Sequence, residues 1–176
     1  MNIFWQRAFR AAKLDSGLYE EVEKDNKAMP QAMGVVLLAS LAAGIGSVSQ
    51  IGTSGIIIGA VIGLVGWYTW AFLTYFIGTK LLPEPQTKTN LGELLRTIGF
   101  ASAPGLIRVL GVIEGLGRLV FSFAAAWMLV AMVIAVKSAL DYKSIWRAAG
   151  VCLIGWIIQV LLLAVLLTLA GGLKPV

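Results

Sequence analysis

Three charged residues stand inside an apolar stretch, and they are the first candidates for chemistry. Gly99 to Arg118, GFASAPGLIRVLGVIEGLGR, carries Arg108, Glu114 and Arg118 together with Pro104 and four later glycines. An ionised side chain buried in hydrocarbon costs roughly 3 kcal/mol or more, so such residues mark a pathway, a binding site or a pair. The spacing leaves two readings open for the polar set Ser102, Pro104, Arg108, Glu114 and Arg118. In one, Arg108 bonds backbone carbonyls or Glu114 and fixes the packing of a broken helix, while Glu114 and Arg118, one turn apart if the helix continues, pair with each other. In the other, the kinked helix lines a polar crevice for an anionic headgroup or solute, with Arg108 as the cation. The first reading is the more economical. Glu114 as a proton carrier would suit a transporter, but such folds repeat broken helices in two halves, and no internal repeat is present.

The rest of the chain offers little other chemistry. Histidine is absent, and the single cysteine, Cys152, lies in an apolar run where it reads as a packing residue. There is no nucleophile–base pair, phosphate loop or metal-ligand cluster, so we expect neither an enzyme nor a cofactor. Residues are 59% hydrophobic and 13% charged, against about a quarter charged in soluble domains. The chain is therefore read as an integral membrane protein. Its net charge of +5 is spread beside the hydrophobic runs, which fits positive-inside topology and excludes nucleic acid as the expected partner.

Elements must hold the odd stretch in place. The pattern predicts an all-α bundle of five transmembrane helices with a kinked, polar third span and amphipathic N-terminal helices. Residues 1–29 form the N-terminal helices and 30–176 the membrane domain, with spans at about 31–48, 56–77, 98–113, 119–136 and 148–169. Pro30 fits the first turn of span 1. Span 2 repeats glycine at Gly55, Gly59 and Gly63, a smooth face for close helix contact, read as an intrachain seam or an oligomer contact. Asn90 and Glu93 have capping-box spacing at the start of a short interfacial helix before span 3. Pro104 would kink that span, and Arg108 would fall near mid-depth.

Charge decides whether the odd stretch crosses. With five crossings, Arg7, Arg10, Lys13, Lys24, Lys27, Lys80, Lys88, Arg96, Lys137, Lys143 and Arg147 share one side, against Arg118 and Lys174 on the other. Eleven against two puts the N-terminus in the cytoplasm and the C-terminus outside. Four spans, or a re-entrant hairpin, would break that rule.

Two short helices precede span 1. In NIFWQRAFRAAK, Phe4, Trp5 and Phe9 fall on one face and Arg7, Arg10 and Lys13 on the other. This suits a helix lying in the headgroups of an anionic cytoplasmic leaflet, or an aromatic face packed on the protein's own spans. In LYEEVEKDNKA, Glu20, Glu21 and Glu23 favour the helix dipole. Together with Leu18 and Tyr19 they read as either a solvated juxtamembrane helix or a docking surface for a protein partner.

The segments LYEEVEKD…QAMGVVLLASLAAGIG, WYTWAFLTYFIGTKLL and NLGELLRTIGFASAPGLIRVLGVIEGLG together resemble the bacterial branch of the Yip family, the Ypt/Rab-interacting membrane proteins. GFASAP matches the family pattern of glycine, aromatic, small residues and proline that opens the third span. The resemblance covers roughly residues 14–170. It implies a five-span bundle with a cytoplasmic N-terminus, here in a bacterial cytoplasmic membrane. Eukaryotic members are implicated in Rab-GTPase binding and vesicle traffic. Their N-terminal Asp-Leu-Tyr-Gly-Pro motif has its nearest match in Gly17-Leu18-Tyr19, without the Gly-Pro. The functional expectation is a membrane-organising or partner-docking scaffold. The alternatives are a small channel or transporter of solute or lipid that uses the polar third span, and an accessory subunit held through span 2.

Overall fold

Polar side chains start the first two helices. In the computed structural model, which describes residues 2–169, Asn2 accepts from the Phe4 N–H to cap α1 (Ile3–Ala12), and Asp15 accepts from Gly17 to cap α2 (Ser16–Lys24). These side-chain acceptors satisfy N–H groups that the first turn leaves free. A single 3₁₀ turn, Asn26–Ala28, leads into α3 (Met29–Gly46), with Pro30 in its first turn. A one-turn helix α4 (Val48–Ile51) joins it to α5 (Ser54–Phe76), which continues as a π-helical turn, Ile77–Leu81. Then follow α6 (Leu91–Ala101), a 3₁₀ segment (Ala103–Val112), α7 (Gly117–Ala139) and α8 (Ile145–Leu169). No strand occurs among the described residues. The C-terminal tail GGLKPV, with Lys174, lies outside them.

Among the described residues five helices are long and apolar enough to cross a membrane: Asn26–Gly46, Ser54–Leu81, Leu91–Val112, Gly117–Ala139 and Ile145–Leu162. The third takes an unexpected form. The capping box of Asn90 and Glu93 is present, but the helix it starts does not stop at the interface. It runs through Ile98 to Ala101, and the chain goes on in 3₁₀ form from Ala103. The break at Pro104 is thus a change of helix type, because proline sits in the first turn of the new segment, where a missing N–H does no harm. The reach matters. Eleven α residues at 1.5 Å and ten 3₁₀ residues at 2.0 Å span about 36 Å, whereas a 16-residue α-helix would reach only about 24 Å.

Two buried clusters hold the bundle. In the first, Ala8 and Ala11 of α1 and Leu18, Tyr19 and Val22 of α2 close on Ala32 and Val35 of α3, Phe100 of α6 and Ala131 and Ala135 of α7. In the second, Leu94 and Ile98 of α6 meet Ile77, Val136, Leu140, Val151 and Cys152. Cys152 is therefore packed inside, as its apolar setting suggested. Burying Leu18 and Val22 contributes about 2 kcal/mol each, enough to offset much of the ordering cost of so short a helix. By contrast, α5 turns Ile57, Ile58, Val61, Ile62 and Val65 outward, all more than half exposed. An apolar row of that extent requires hydrocarbon around it.

Candidate functional site

The N-terminal helices meet each other through charge. Arg7, only 7% exposed, donates to Glu21 at 2.9 Å, Asp25 at 2.8 Å and Gln31 at 3.2 Å. Arg10 donates to Asp15 at 2.7 Å and Glu21 at 2.5 Å. Hydrogen bonds from Arg10 hold the Asp15 carboxyl below its ordinary range, and those from Arg7 do the same for Asp25. Burial pushes Glu21 upward, but hydrogen bonds from Arg10 and Arg7 outweigh it and the net direction is down. The cation face expected to meet an anionic leaflet therefore meets α2. The reason is local, since half-desolvated carboxylates within hydrogen-bond reach attract a guanidinium more strongly than screened headgroups do. Of the three cations, Lys13 stays outward, its ammonium 4.9 Å from the centroid of the exposed Phe9 ring. Trp5 is also exposed, whereas Phe4 packs near Gly34.

The docking set divides in the same way. Leu18 and Tyr19 are fully buried, the Tyr19 hydroxyl donating to the Ala11 carbonyl at 3.3 Å. Glu21 belongs to the arginine cluster. A hydrophobic residue and a tyrosine on this edge are thus spent on packing against α6 and α7. Glu20 and Glu23 remain, and they line a pocket of about 620 Å³ with Lys24, Lys137, Asp141 and Tyr142. Arg96 fixes the backbone there, its Nε donating to the Val22 carbonyl at 2.8 Å and its Nη2 to the Glu23 carbonyl. The Glu23 side chain is buried without a hydrogen bond or ion pair among the described residues. Burial, with Asp141 and Glu93 nearby, raises its pKa to about 7 against the pull of Lys24.

A tie between the two loops beside this pocket has no signal in the sequence. The Tyr142 hydroxyl donates to the Gly78 and Leu82 carbonyls at 3.1 and 2.7 Å, Thr87 donates to the Leu140 carbonyl, and Glu84 meets Arg147 at 3.5 Å. A lone tyrosine beside charged loop residues has no recognisable spacing. Only the folded loops bring it to those carbonyls.

Arg108 lies deeper in the bundle, away from that pocket. It sits level with the last turn of α3 rather than at mid-depth, because each 3₁₀ residue carries it 2.0 Å farther. A Cβ built on Gly46 would stand 1.9 Å from the Arg108 carbonyl oxygen, and one on Gly111 2.8 Å from the Gly46 carbonyl. These glycines therefore allow a backbone-to-backbone approach that fixes the arginine's height. Arg108 opens on a crevice of about 940 Å³ between α3, α5, the third span, α7 and α8. Its Nε is buried with no hydrogen-bond partner, and its guanidinium lies 5.7 Å from the centroid of Phe121. No ion pair among the described residues includes it.

The other members of the polar set separate. Ser102 lines the same crevice, its hydroxyl 3.5 Å from the Ile98 carbonyl, and Pro104 is buried at the break. Glu114 and Arg118 are exposed and form no ion pair among the described residues. The helix they were expected to share stops at Val112, and the chain turns through Gly115 at φ 80°. In the glycine row of α5, Gly63 closely approaches Ser40 of α3, whereas Gly55 faces Ile51 and a Cβ on Gly59 would meet nothing within 4 Å. All three line the crevice.

Five apolar helices around such a crevice define an integral, multi-pass, all-helical membrane protein in contact with the lipid bilayer. The chain belongs to the Yip family, since the family model of the Yip1 domain matches residues 19–167. The match begins in α2, so α1 precedes it. The Yip family is not known as a family of enzymes. No curated protein matches the chain, and no solved structure does.

Proposed function

We propose that this Yip-family protein is a non-enzymatic docking platform in a bacterial cytoplasmic membrane, with α1 and α2 on the cytoplasmic side. The observation that carries the reading is the pocket of Glu20, Glu23 and Asp141 on the face formed by α2 and the α7–α8 loop. A half-desolvated carboxylate without a partner is a receptor for a lysine or arginine side chain, as charge-assisted hydrogen bonds are about twice as strong as neutral ones. The positive-inside count supports the orientation. The exposed Trp5 and Phe9 beside Lys13 suit contact with the leaflet next to the pocket. Glu114 lies outside the crevice, which favours a platform over a proton-coupled carrier.

The test is crosslinking in the native membrane from a photoreactive residue placed at position 20. A protein adduct that is lost with Asp141→Lys supports docking at this pocket. Recovery of lipid alone, or an unchanged protein adduct in the Asp141→Lys chain, refutes it. Glu21 is unsuitable for such a test because its replacement removes a shared partner of Arg7 and Arg10.

A further inference from the structure

We infer that the intramembrane crevice is a seat for one phospholipid, with the lipid phosphate on Arg108 and one acyl chain along the glycine row of α5. The argument begins with the guanidinium. Arginine keeps its proton in any protein setting, so Arg108 cannot relieve its burial by becoming neutral. The guanidinium carbon lies over the Phe121 ring, and Nε is buried and lacks an acceptor. A half-buried cation with an unpartnered buried Nε on a mainly apolar wall calls for an anion, and phosphate matches the guanidinium fork. Ser47, whose own hydroxyl bonds the Ala43 carbonyl at 2.8 Å, lines the same end.

The remainder of the wall selects the anion's other half. From Arg108 the crevice runs inward past Ser102 to Ile98 and Trp70. Four α steps and six 3₁₀ steps make this about 18 Å, comparable to the acyl region of one leaflet, half of a hydrocarbon core about 30 Å thick. Small residues create the room. Gly59 and Gly66 of α5 face open space, and Ala39, Ala43 and Ala125 stand across from them. At about 940 Å³, the crevice is at the upper end of the roughly 300–1,000 Å³ range of small-molecule sites. A free inorganic anion would leave that apolar length empty, while an uncharged lipid would leave Arg108 unmet.

The inference is tested on the full chain in detergent micelles by native mass spectrometry with palmitoyl-oleoyl phosphatidylglycerol. Diacylglycerol of the same chains and inorganic phosphate serve as comparison ligands. We expect one phosphatidylglycerol per chain to be retained, with diacylglycerol and phosphate each held at least about tenfold more weakly, the factor that one charge-assisted bond supplies. Arg108→Gln should lower retention by about tenfold. Gly59→Leu, at a position where a Cβ meets nothing within 4 Å, should lower it as well by filling the crevice. Arg118→Gln, at the exposed turn, should leave it unchanged. Equal retention of diacylglycerol, tight binding of phosphate alone, or retention unaffected by both Arg108→Gln and Gly59→Leu would overturn the assignment.

Discussion

Among the described residues Glu23 and Arg108 each face a hollow without an ion pair, and the two hollows treat charge in opposite ways. The pocket around Glu23 mixes acids and lysines at the end of the bundle that bears α1 and α2, and its carboxyl titrates at about 7. Near neutrality it exchanges its charge for a proton at little cost. Arg108 has no such exit, and its crevice is walled mainly by apolar residues, with Ser40, Ser47, Ser102 and Gln159 as its neutral polar members. Burial therefore makes the acid a switch and the arginine a receptor. Arg7 is the third case, a cation more deeply buried than Arg108, whose carboxylates the fold has supplied.

The contrast can be broken most severely at Gly46. Valine there must displace the Arg108 carbonyl, which a Cβ would meet at 1.9 Å. We expect a loss of about 3 kcal/mol, read as a lower midpoint of thermal unfolding in micelles. An unchanged midpoint would mean that this approach does not set the height of Arg108.

Removing the paired cation comes next. Arg7→Ala leaves Asp25 without its cation and Glu21 with Arg10 alone, at a cost of about 2 kcal/mol, less than for a fully buried pair because both acids are partly exposed. Hydrogen exchange should show faster opening of α1 while α7 stays protected.

The Glu23 switch is sharper to measure than to break. Its folded pKa, about 7, lies above the ordinary 4.5, so the folded state holds a proton that the unfolded state has released. Its contribution is complete below about pH 4.5 and is lost as pH rises through about 7. The loss is on the order of 2 kcal/mol, and in the Glu23→Gln chain this slope should vanish. Asp15, Glu21 and Asp25 oppose it, their depressed pKa values making their contribution fall as pH drops below the usual carboxylate range. Smallest of all, Glu20→Lys should change stability by no more than about 0.5 kcal/mol, because Glu20 is exposed. Its effect belongs to partner recovery.

Much of the frame is legible in the residues. Hydropathy runs of sufficient length give the apolar spans, and the Asn90–Glu93 and Pro30 signals mark real helix starts. Arg108 and Ser102 stand out in apolar sequence because charge is costly there, and both line the crevice. The partner of each charge was less legible. Arg7 and Glu21 are fourteen residues apart and on different helices, so helical spacing assigns each to its own solvent face. Glu114 and Arg118 have the right spacing for a pair, but a turn at Gly115 separates them.

The sequence by itself determined that the chain is helical, that it is rich enough in apolar residues to need a bilayer, and that a few charges would be costly within it. Those follow from composition and local period, which act over a turn or two of helix. Tertiary structure alone decided which charges are satisfied. It set the 3₁₀ rise that moves Arg108 to the end of α3, the Gly46 contact that holds it there, and the gap opposite Gly59 that makes a crevice from a row of glycines. Pairing and empty space depend on where distant backbones meet, and no local pattern encodes that.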